Sequence, residues 1–217
     1  MTTSPNSPRL LKGGIVLMDS TTSAVRRIIA LQYNPDTLTR SLQMKGVGAE
    51  GGDRSEALRL KGPPVETIKL DAEIDATDQL ELADTQTTRF GIHPQLAALE
   101  TLVYPSSNQL LSNNRLAQSG TLEIAPMETP LMLFVFGKNR ILPVRLTDFS
   151  IAEEAFDVAL NPIRARVSLG MRVLSVDDLG FDHRGGSLFM NHLQQKEQLA
   201  RLSAAGAFGS LGIGGIS

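Results

Sequence analysis

Residues 156–174, FDVALNPIRARVSLGMRVL, constrain the fold of this chain more than any other segment. The pair Asn161-Pro162 is typical of a turn, because proline presets the backbone and asparagine tolerates turn geometry. From Ile163 onward apolar residues alternate with arginine, serine and glycine, which is the period of a strand with one buried face. The segment therefore predicts a sheet that packs on a core, and it carries no catalytic grouping.

The rest of the chain also predicts mainly β structure. Further strands are predicted from Gly13 and over residues 26–33, 37–44, 65–74, 131–137 and 140–153. The stretch Asn34-Pro35-Asp36 predicts a hairpin that joins the second and third strands. One inserted helix is predicted to begin near Pro94 and to stop before Pro105, with His93 capping it. A second, amphipathic helix is expected over residues 188–202.

We divide the chain into three parts. Residues 1–11 form a flexible N-terminal arm, residues 12–176 a β domain, and residues 177–217 a C-terminal helix with a Gly-rich tail. Within the β domain, residues 46–64 lack a sustained period and are expected to be a mobile loop, while residues 105–130 form a polar linker whose structure the sequence leaves open. The tail cannot fold alone and is either disordered or captured by a neighbouring subunit; if it meets only a partner, removal of residues 204–217 is expected to leave the stability of the domain nearly unchanged.

Composition excludes several classes of protein. A net charge of -2 and a pI near 5.9 give no basic surface for nucleic acid. No run approaches the roughly 18 apolar residues of a membrane span, and the first residues lack an apolar secretory signal. The absence of cysteine removes disulfides, thiolate nucleophiles and cysteine zinc sites. We therefore expect a chain that is made in the cytoplasm and has no nucleic-acid partner and no membrane insertion.

Two segments resemble known ligand-binding motifs, one for dinucleotides and one for calcium. Residues 46–51, GVGAEG, match the dinucleotide fingerprint GxGxxG, but no helix follows to direct its amides at a pyrophosphate, so a flexible loop is favoured. The acidic residues of 71–78 imitate a calcium loop, yet Ala76 stands where such a loop needs glycine and Leu82 where it needs a bidentate glutamate. The sequence thus predicts neither a nucleotide site nor a calcium site.

The polar residues also fail to form a catalytic set. The histidines are spread without the spacing of a zinc motif: His93, His183 and His192. Ser187 has no nucleophile elbow around it. The neighbours Asp177-Asp178 and Glu153-Glu154 would point to opposite faces of a strand and cannot share a proton. We predict no enzymatic activity, no cofactor and no metal.

Two rows of opposite charge follow from the strand period. Asp71, Glu73 and Asp75 share the polar face of one strand. The basic row on the polar face of the last strand consists of Arg164, Arg166 and Arg172. The simpler interpretation is that both faces are solvated. The sharper hypothesis is that the rows meet, across strands or across subunits, and so fix register and subunit order.

Several short motifs follow one another in an order typical of one family. They are Ala30-Leu31-Gln32-Tyr33-Asn34-Pro35, Lys61-Gly62-Pro63-Pro64-Val65-Glu66-Thr67-Ile68, Phe136-Gly137, Leu142-Pro143-Val144-Arg145-Leu146, and Phe156 through Asn161-Pro162-Ile163-Arg164-Ala165. In this order, over roughly residues 12–176, the chain resembles the contractile injection system tube protein family, the tube-initiator or baseplate-hub component of phage-tail-like particles. Many relatives carry a peptidoglycan-binding LysM module next, where this chain has the short helix and Gly-rich tail.

The resemblance implies a tail-tube-like β-barrel that assembles as a hexameric ring. Such a subunit would join the spike or hub protein to the inner tube protein and touch other baseplate proteins. It would be assembled in the cytoplasm into a particle whose release from the cell stays open. The motifs and the charge rows predict an interface at Tyr33, Asn34, Pro35, Asp71, Glu73, Phe156, Asn161, Pro162, Arg164, Arg166 and Arg172. The alternative is a soluble β-barrel binding module that docks cargo or cell-wall glycan through its loops.

Overall fold

The computed structural model describes residues 11–46, 59–120 and 129–203, together with Gly206, residues 208–211 and Ile213. The strands are β1 (Gly14–Met18), β2 (Val25–Ala30), β3 (Leu38–Gln43), β4 (Val65–Asp75), β5 (Leu131–Val135), β6 (Ile141–Phe156) and β7 (Pro162–Val173). The helices are α1 (Thr77–Glu81), α2 (Thr85–Phe90), α3 (His93–Glu100), α4 (Ser107–Gln118), α5 (Val176–Leu179) and α6 (Arg184–Arg201), followed by a 3₁₀ turn at Phe208–Leu211. Most of the expected N-terminal arm, of the loop around the GxGxxG motif and of the Gly-rich tail lies outside the described residues.

The strands form one seven-stranded sheet in the order β2-β1-β5-β6-β7-β4-β3, and every neighbouring pair is antiparallel. The longest strands lie together in the middle: β6 has 16 residues, β7 has 12 and β4 has 11. The expected fold class, mainly β with added helices, is confirmed.

Strand β7 follows the alternation that its sequence predicts. Its apolar face is buried, with Val167 and Met171 fully so, while its arginines lie on the other face. The register sets Leu70 of β4 opposite Leu169 of β7, so the apolar faces of both strands meet the same core. Burial of this shared face supplies the main drive for the central sheet.

The hairpin predicted at Asn34-Pro35-Asp36 is wrong. Strands β2 and β3 follow one another in the chain but lie at opposite edges of the sheet. Strand β2 instead pairs with β1 through a turn in which the Asp19 carboxylate accepts hydrogen bonds from the backbone of Thr21 and Thr22. An aspartate that bonds the backbone two and three residues ahead closes a turn as well as an Asn-Pro pair does.

The sheet is open, because its edge strands β2 and β3 form no ladder with each other within the described chain. The closed barrel that was expected is therefore absent from the strand pairing. At the end of β4 that β3 leaves unpaired, a side chain takes the place of a neighbouring strand. Strand β3 pairs with β4 only between Val65 and Leu70, and at the free end of β4 the Gln32 amide donates to the Asp75 carbonyl at 2.6 Å and accepts from the Asp75 N–H at 3.0 Å.

The helices differ from the prediction in number and extent. The inserted helix α3 begins with Pro94 in its first turn, as expected, and buries Leu96 and Leu99 against the sheet. Its cap position is Ile92, without a side-chain cap, so the role predicted for His93 is wrong. Helix α4 lies inside the polar linker 105–130, whose structure the sequence left open, and it buries none of its residues. Residues 121–128 of that segment lie outside the described residues.

The C-terminal helix α6 is confirmed and begins four residues before the predicted start, at Arg184. His183 caps it, since its Nδ1 accepts a hydrogen bond from the Gly185 N–H at 3.0 Å. Gly186 lets the first turn of α6 pack closely against the end of α5, because a Cβ on Gly186 would lie 1.9 Å from the Gly180 carbonyl oxygen. Helix α6 is thereby held against α5 and the sheet.

Candidate assembly interface

The turn between β6 and β7 ends in three exposed apolar side chains, which we call the hairpin tip. They are Phe156, Val158 and Leu160, with 51%, 107% and 79% of their surface exposed. Turns in a protein that works alone are usually polar, because water must solvate their side chains and backbone. Three exposed apolar groups on one turn indicate a surface that meets another molecule.

The turn itself is tightly braced. The Asp157 carboxylate accepts hydrogen bonds of 2.8 Å from the backbone N–H of Ala159, the backbone N–H of Asn161 and the Asn161 side-chain amide. The bonds from the side chain and backbone of Asn161 hold the pKa of Asp157 below its usual value. This network supports the left-handed backbone of Leu160, whose φ is 64°. The Asp157 side chain thereby closes the turn that carries the tip.

The base of the hairpin is locked to the helices. The Pro162 carbonyl accepts a hydrogen bond from the Ile92 N–H at 2.9 Å. Beside it Gly91 has a φ of 56°, and a Cβ there would lie 2.3 Å from the same carbonyl oxygen. Only glycine combines that backbone with so close an approach. Of the interface residues predicted here, Phe156 is exposed, whereas Pro162 is buried and Asn161 serves the turn.

Three strands offer unpaired backbone edges. Strand β6 pairs with β5 only over residues 141–144, so residues 145–156 have a strand on one side only within the described chain. The outer strands β2 and β3 each have one free edge as well. Exposed apolar side chains accompany these outer edges at Val25, Ile28, Leu42 and Met44. Free edges of this kind are templates for another chain.

A groove of about 610 Å³ gathers another group of the predicted interface residues. Its walls include Tyr33, Asn34, Pro35, Asp71, Glu73 and Arg166. Asn34 is partly engaged within the chain, since its side chain accepts from the Gly13 N–H at 2.9 Å and donates to the Leu11 carbonyl at 2.8 Å. The structure thus brings together residues that the sequence holds far apart.

The two charge rows meet across strands. The register sets Glu73 opposite Arg166 and Asp75 opposite Arg164, and the latter two form an ion pair of 2.8 Å. The hydrogen bond that Arg164 donates to the Asp75 carboxylate raises the pKa of Arg164, and the bonds that Thr77 and Arg164 donate to it lower the pKa of Asp75.

Arg172 does not join the acidic row. It lies opposite Thr67 on β4 and forms an ion pair of 2.6 Å with Asp178 instead. The pKa of Asp178 lies below its usual value: burial alone would raise it, but the Ser175 N–H and the charge of Arg172 outweigh burial. Arg172 therefore connects β7 to α5.

Sequence reasoning missed Gln32, Val158 and Leu160. A readable signal existed for the last two, because the residues before Asn161-Pro162 are apolar where a turn is usually polar. Gln32 gave no signal, because its role depends on where β4 loses its neighbour.

The described residues hold no cluster of three or more His, Asp or Glu side chains close enough to bind a metal ion. Within the same ranges, none of the helices is both long and apolar enough to span a membrane.

No family model matches the chain, and no curated protein matches it. Among solved structures, it is similar to a chain from the "Tail of empty GTA particle computed with helical refinement, C6 symmetry", with 13% identity, coverage of 75% of this chain and 90% of that chain, and a TM-score of 0.30. It is also similar to a chain from the "Virion of native gene transfer agent (GTA) particle", with 11% identity, coverage of 77% and 95%, and a TM-score of 0.29.

Proposed function

We propose that the chain is a structural subunit of a phage-tail-like contractile injection particle. In this proposal it forms a hexameric ring that initiates the tube and joins the spike or hub protein to the inner tube and baseplate. The ordered motifs of the sequence support this role. The subunit supplies a wall and an interface, and its mechanism is mechanical.

The observation that carries the proposal is the exposed hairpin tip on a rigid, anchored turn. Full burial of one large apolar side chain contributes about 1.5–3 kcal/mol, so the three side chains of the tip can supply a large share of the energy of a subunit contact. The bracing by Asp157 lowers the entropic cost of docking, because the tip is already ordered in the free subunit.

The free strand edges support side-by-side packing. A ring closes when one edge of each subunit meets a different edge of the next, and closure removes the edges that a monomer leaves exposed. The edges of β2, β3 and β6 are available for that purpose.

The test replaces the tip with serine, as F156S/V158S/L160S. The tip side chains are exposed, so we expect the variant to fold with an unchanged circular dichroism spectrum. Ring formation alone or with tube and spike proteins, followed by light scattering and negative-stain microscopy, should fall at least about tenfold. The matched control is L202S, at a residue equally exposed but outside the tip.

Normal assembly of the tip variant would contradict the role of the tip. A chain that stays monomeric with all these partners and binds peptidoglycan fragments would favour the binding-module alternative.

A further inference from the structure

His192 lies on the buried face of helix α6 and has no hydrogen-bond partner among the described residues. Only 7% of its surface is exposed, and neither ring nitrogen has a partner among the described residues. A cavity of about 350 Å³ adjoins it, lined by Lys138, Asn191 and neighbouring glutamines. The cavity lies beside the residue, but solvent reaches neither ring nitrogen while the helix is docked.

The surroundings of His192 hold an excess of positive charge. Glu66 of β4 is 4% exposed and is paired with Arg40 of β3 at 2.6 Å and with Lys196 of α6 at 3.2 Å. Arg140, before β6, lies close enough to act on both His192 and Glu66. The charged groups that act on His192 from α6, β3, β4 and the turn before β6 are thus three cations and one carboxylate, and Lys138 of that same turn lines the adjoining cavity as a further cation.

Glu66 is committed to these cations. Burial alone would raise its pKa, but the hydrogen bond from Arg40 and the charge of Lys196 outweigh burial and keep the pKa below its usual value. Glu66 is therefore ionised at neutral pH and already shared between two partners. It has little capacity left to stabilise a fourth positive charge.

We propose that helix α6 is an acid-released arm, in which protonation of His192 adds a fourth cation to the buried cluster and frees the helix from the sheet. The Lys196–Glu66 pair and the burial of Phe189 hold the arm at neutral pH. This proposal stands apart from the proposed assembly function.

The direction of the pH effect on docking follows from the difference in proton binding between the docked and the released helix. Burial, together with Lys196, lowers the pKa of His192 below its usual value in the docked state. The released state then binds more protons below about pH 6.5, so docking is fully stable above that pH and weakens as pH falls. Each pH unit below it favours release by up to about tenfold, until the pKa of the docked state is reached.

The test is hydrogen exchange of the α6 amides in the full chain at about pH 7.5 and about pH 5.5, corrected for intrinsic exchange rates. Protection of α6 should fall by up to about tenfold more than that of β4 and β7. In H192Q this extra pH dependence should vanish. In the control H93Q, which changes an exposed histidine at the start of α3, it should persist.

Equal α6 protection at both pH values in the native chain would overturn the proposal, as would an unchanged pH dependence in H192Q. If H192Q does not fold, the imidazole titration of the native chain decides by NMR. A His192 pKa at or above the usual histidine value contradicts the proposal, and a lower value that titrates together with α6 signals supports it.

Discussion

At the residue scale, the Gln32 side chain makes the hydrogen bonds that a neighbouring strand would make to the end of β4. Its amide both donates to and accepts from the backbone of Asp75, as the backbone of a paired strand would. At neutral pH a carboxamide offers both a donor and an acceptor in that spacing, whereas a carboxylate offers acceptors alone. This one side chain ties the link between β2 and β3 to the free end of β4.

The change Q32E tests this account. A carboxylate can accept from the Asp75 N–H but cannot donate to the Asp75 carbonyl, which leaves a partly buried acceptor unpaired. The acidic residues Asp71 and Glu73 in the same groove add repulsion. We expect the free energy of unfolding in urea to fall by about 1–3 kcal/mol at neutral pH. The control Q43E, on the exposed edge strand β3, should change it by less than about 0.5 kcal/mol.

The loss in Q32E should shrink as the introduced carboxyl takes up a proton below about pH 4.5, because the protonated acid can donate again. A stability equal to that of the control at both pH values would show that the Gln32 bonds contribute nothing.

The face of the sheet on which a residue lies could be predicted wherever the alternation of side chains along a strand alone decides it. The strand period placed the acidic and basic residues on the polar faces of their strands; that the rows meet across strands was the sharper of two interpretations, and Asp75 and Arg164 do form an ion pair. The role of Gln32 could not be predicted, because it depends on a break between β3 and β4 that no local pattern records.

At the element scale, α4 stands apart from the core. Its capping box is complete, with the Ser106 hydroxyl accepting from the Gln109 N–H and the Gln109 side chain accepting from the Ser106 N–H. Its leucines Leu110, Leu111 and Leu116 are exposed. Helix α4 therefore depends on its cap rather than on packing.

The change S106A should destabilise α4 without unfolding the rest of the chain. Loss of the cap costs about 1 kcal/mol, which lowers the hydrogen-exchange protection of the α4 amides about fivefold. The melting temperature of the sheet should stay the same, because α4 buries no residue. The control S112A lies in the middle of the same helix and should raise protection slightly, since alanine favours helix more than serine does.

A parallel fall in the melting temperature of S106A would show that α4 is part of the cooperative core.

Helix α4 was missed because its apolar residues have no core-facing period. The Ser106-x-x-Gln109 spacing was nevertheless a readable start signal. Helix α6 was found because its leucines repeat on one face, yet its start was missed, since Gly185 and Gly186 read as helix breakers although close packing requires them.

At the scale of the whole molecule, the described part of the chain forms an open sheet whose edge strands are unpaired on one side. The strand period was enough to predict mainly β structure, but it could not give the strand order. Strands adjacent in sequence, β2 and β3, lie at opposite edges, and β1 pairs with the distant β5. Such pairing is decided by which apolar faces fit together across long loops.

The open sheet also changes how a ring is expected to form. A closed barrel would have no free edges, whereas the described part of this chain retains edges at β2, β3 and part of β6. In our account, assembly with other copies completes what the single chain leaves open.

The central claim is tested most directly by the mass and shape of the native chain in solution, alone and mixed with tube and spike proteins. Light scattering with negative-stain microscopy should give closed rings of about six copies, alone or once a partner is added. A chain that remains monomeric at every concentration and with every partner would contradict the account.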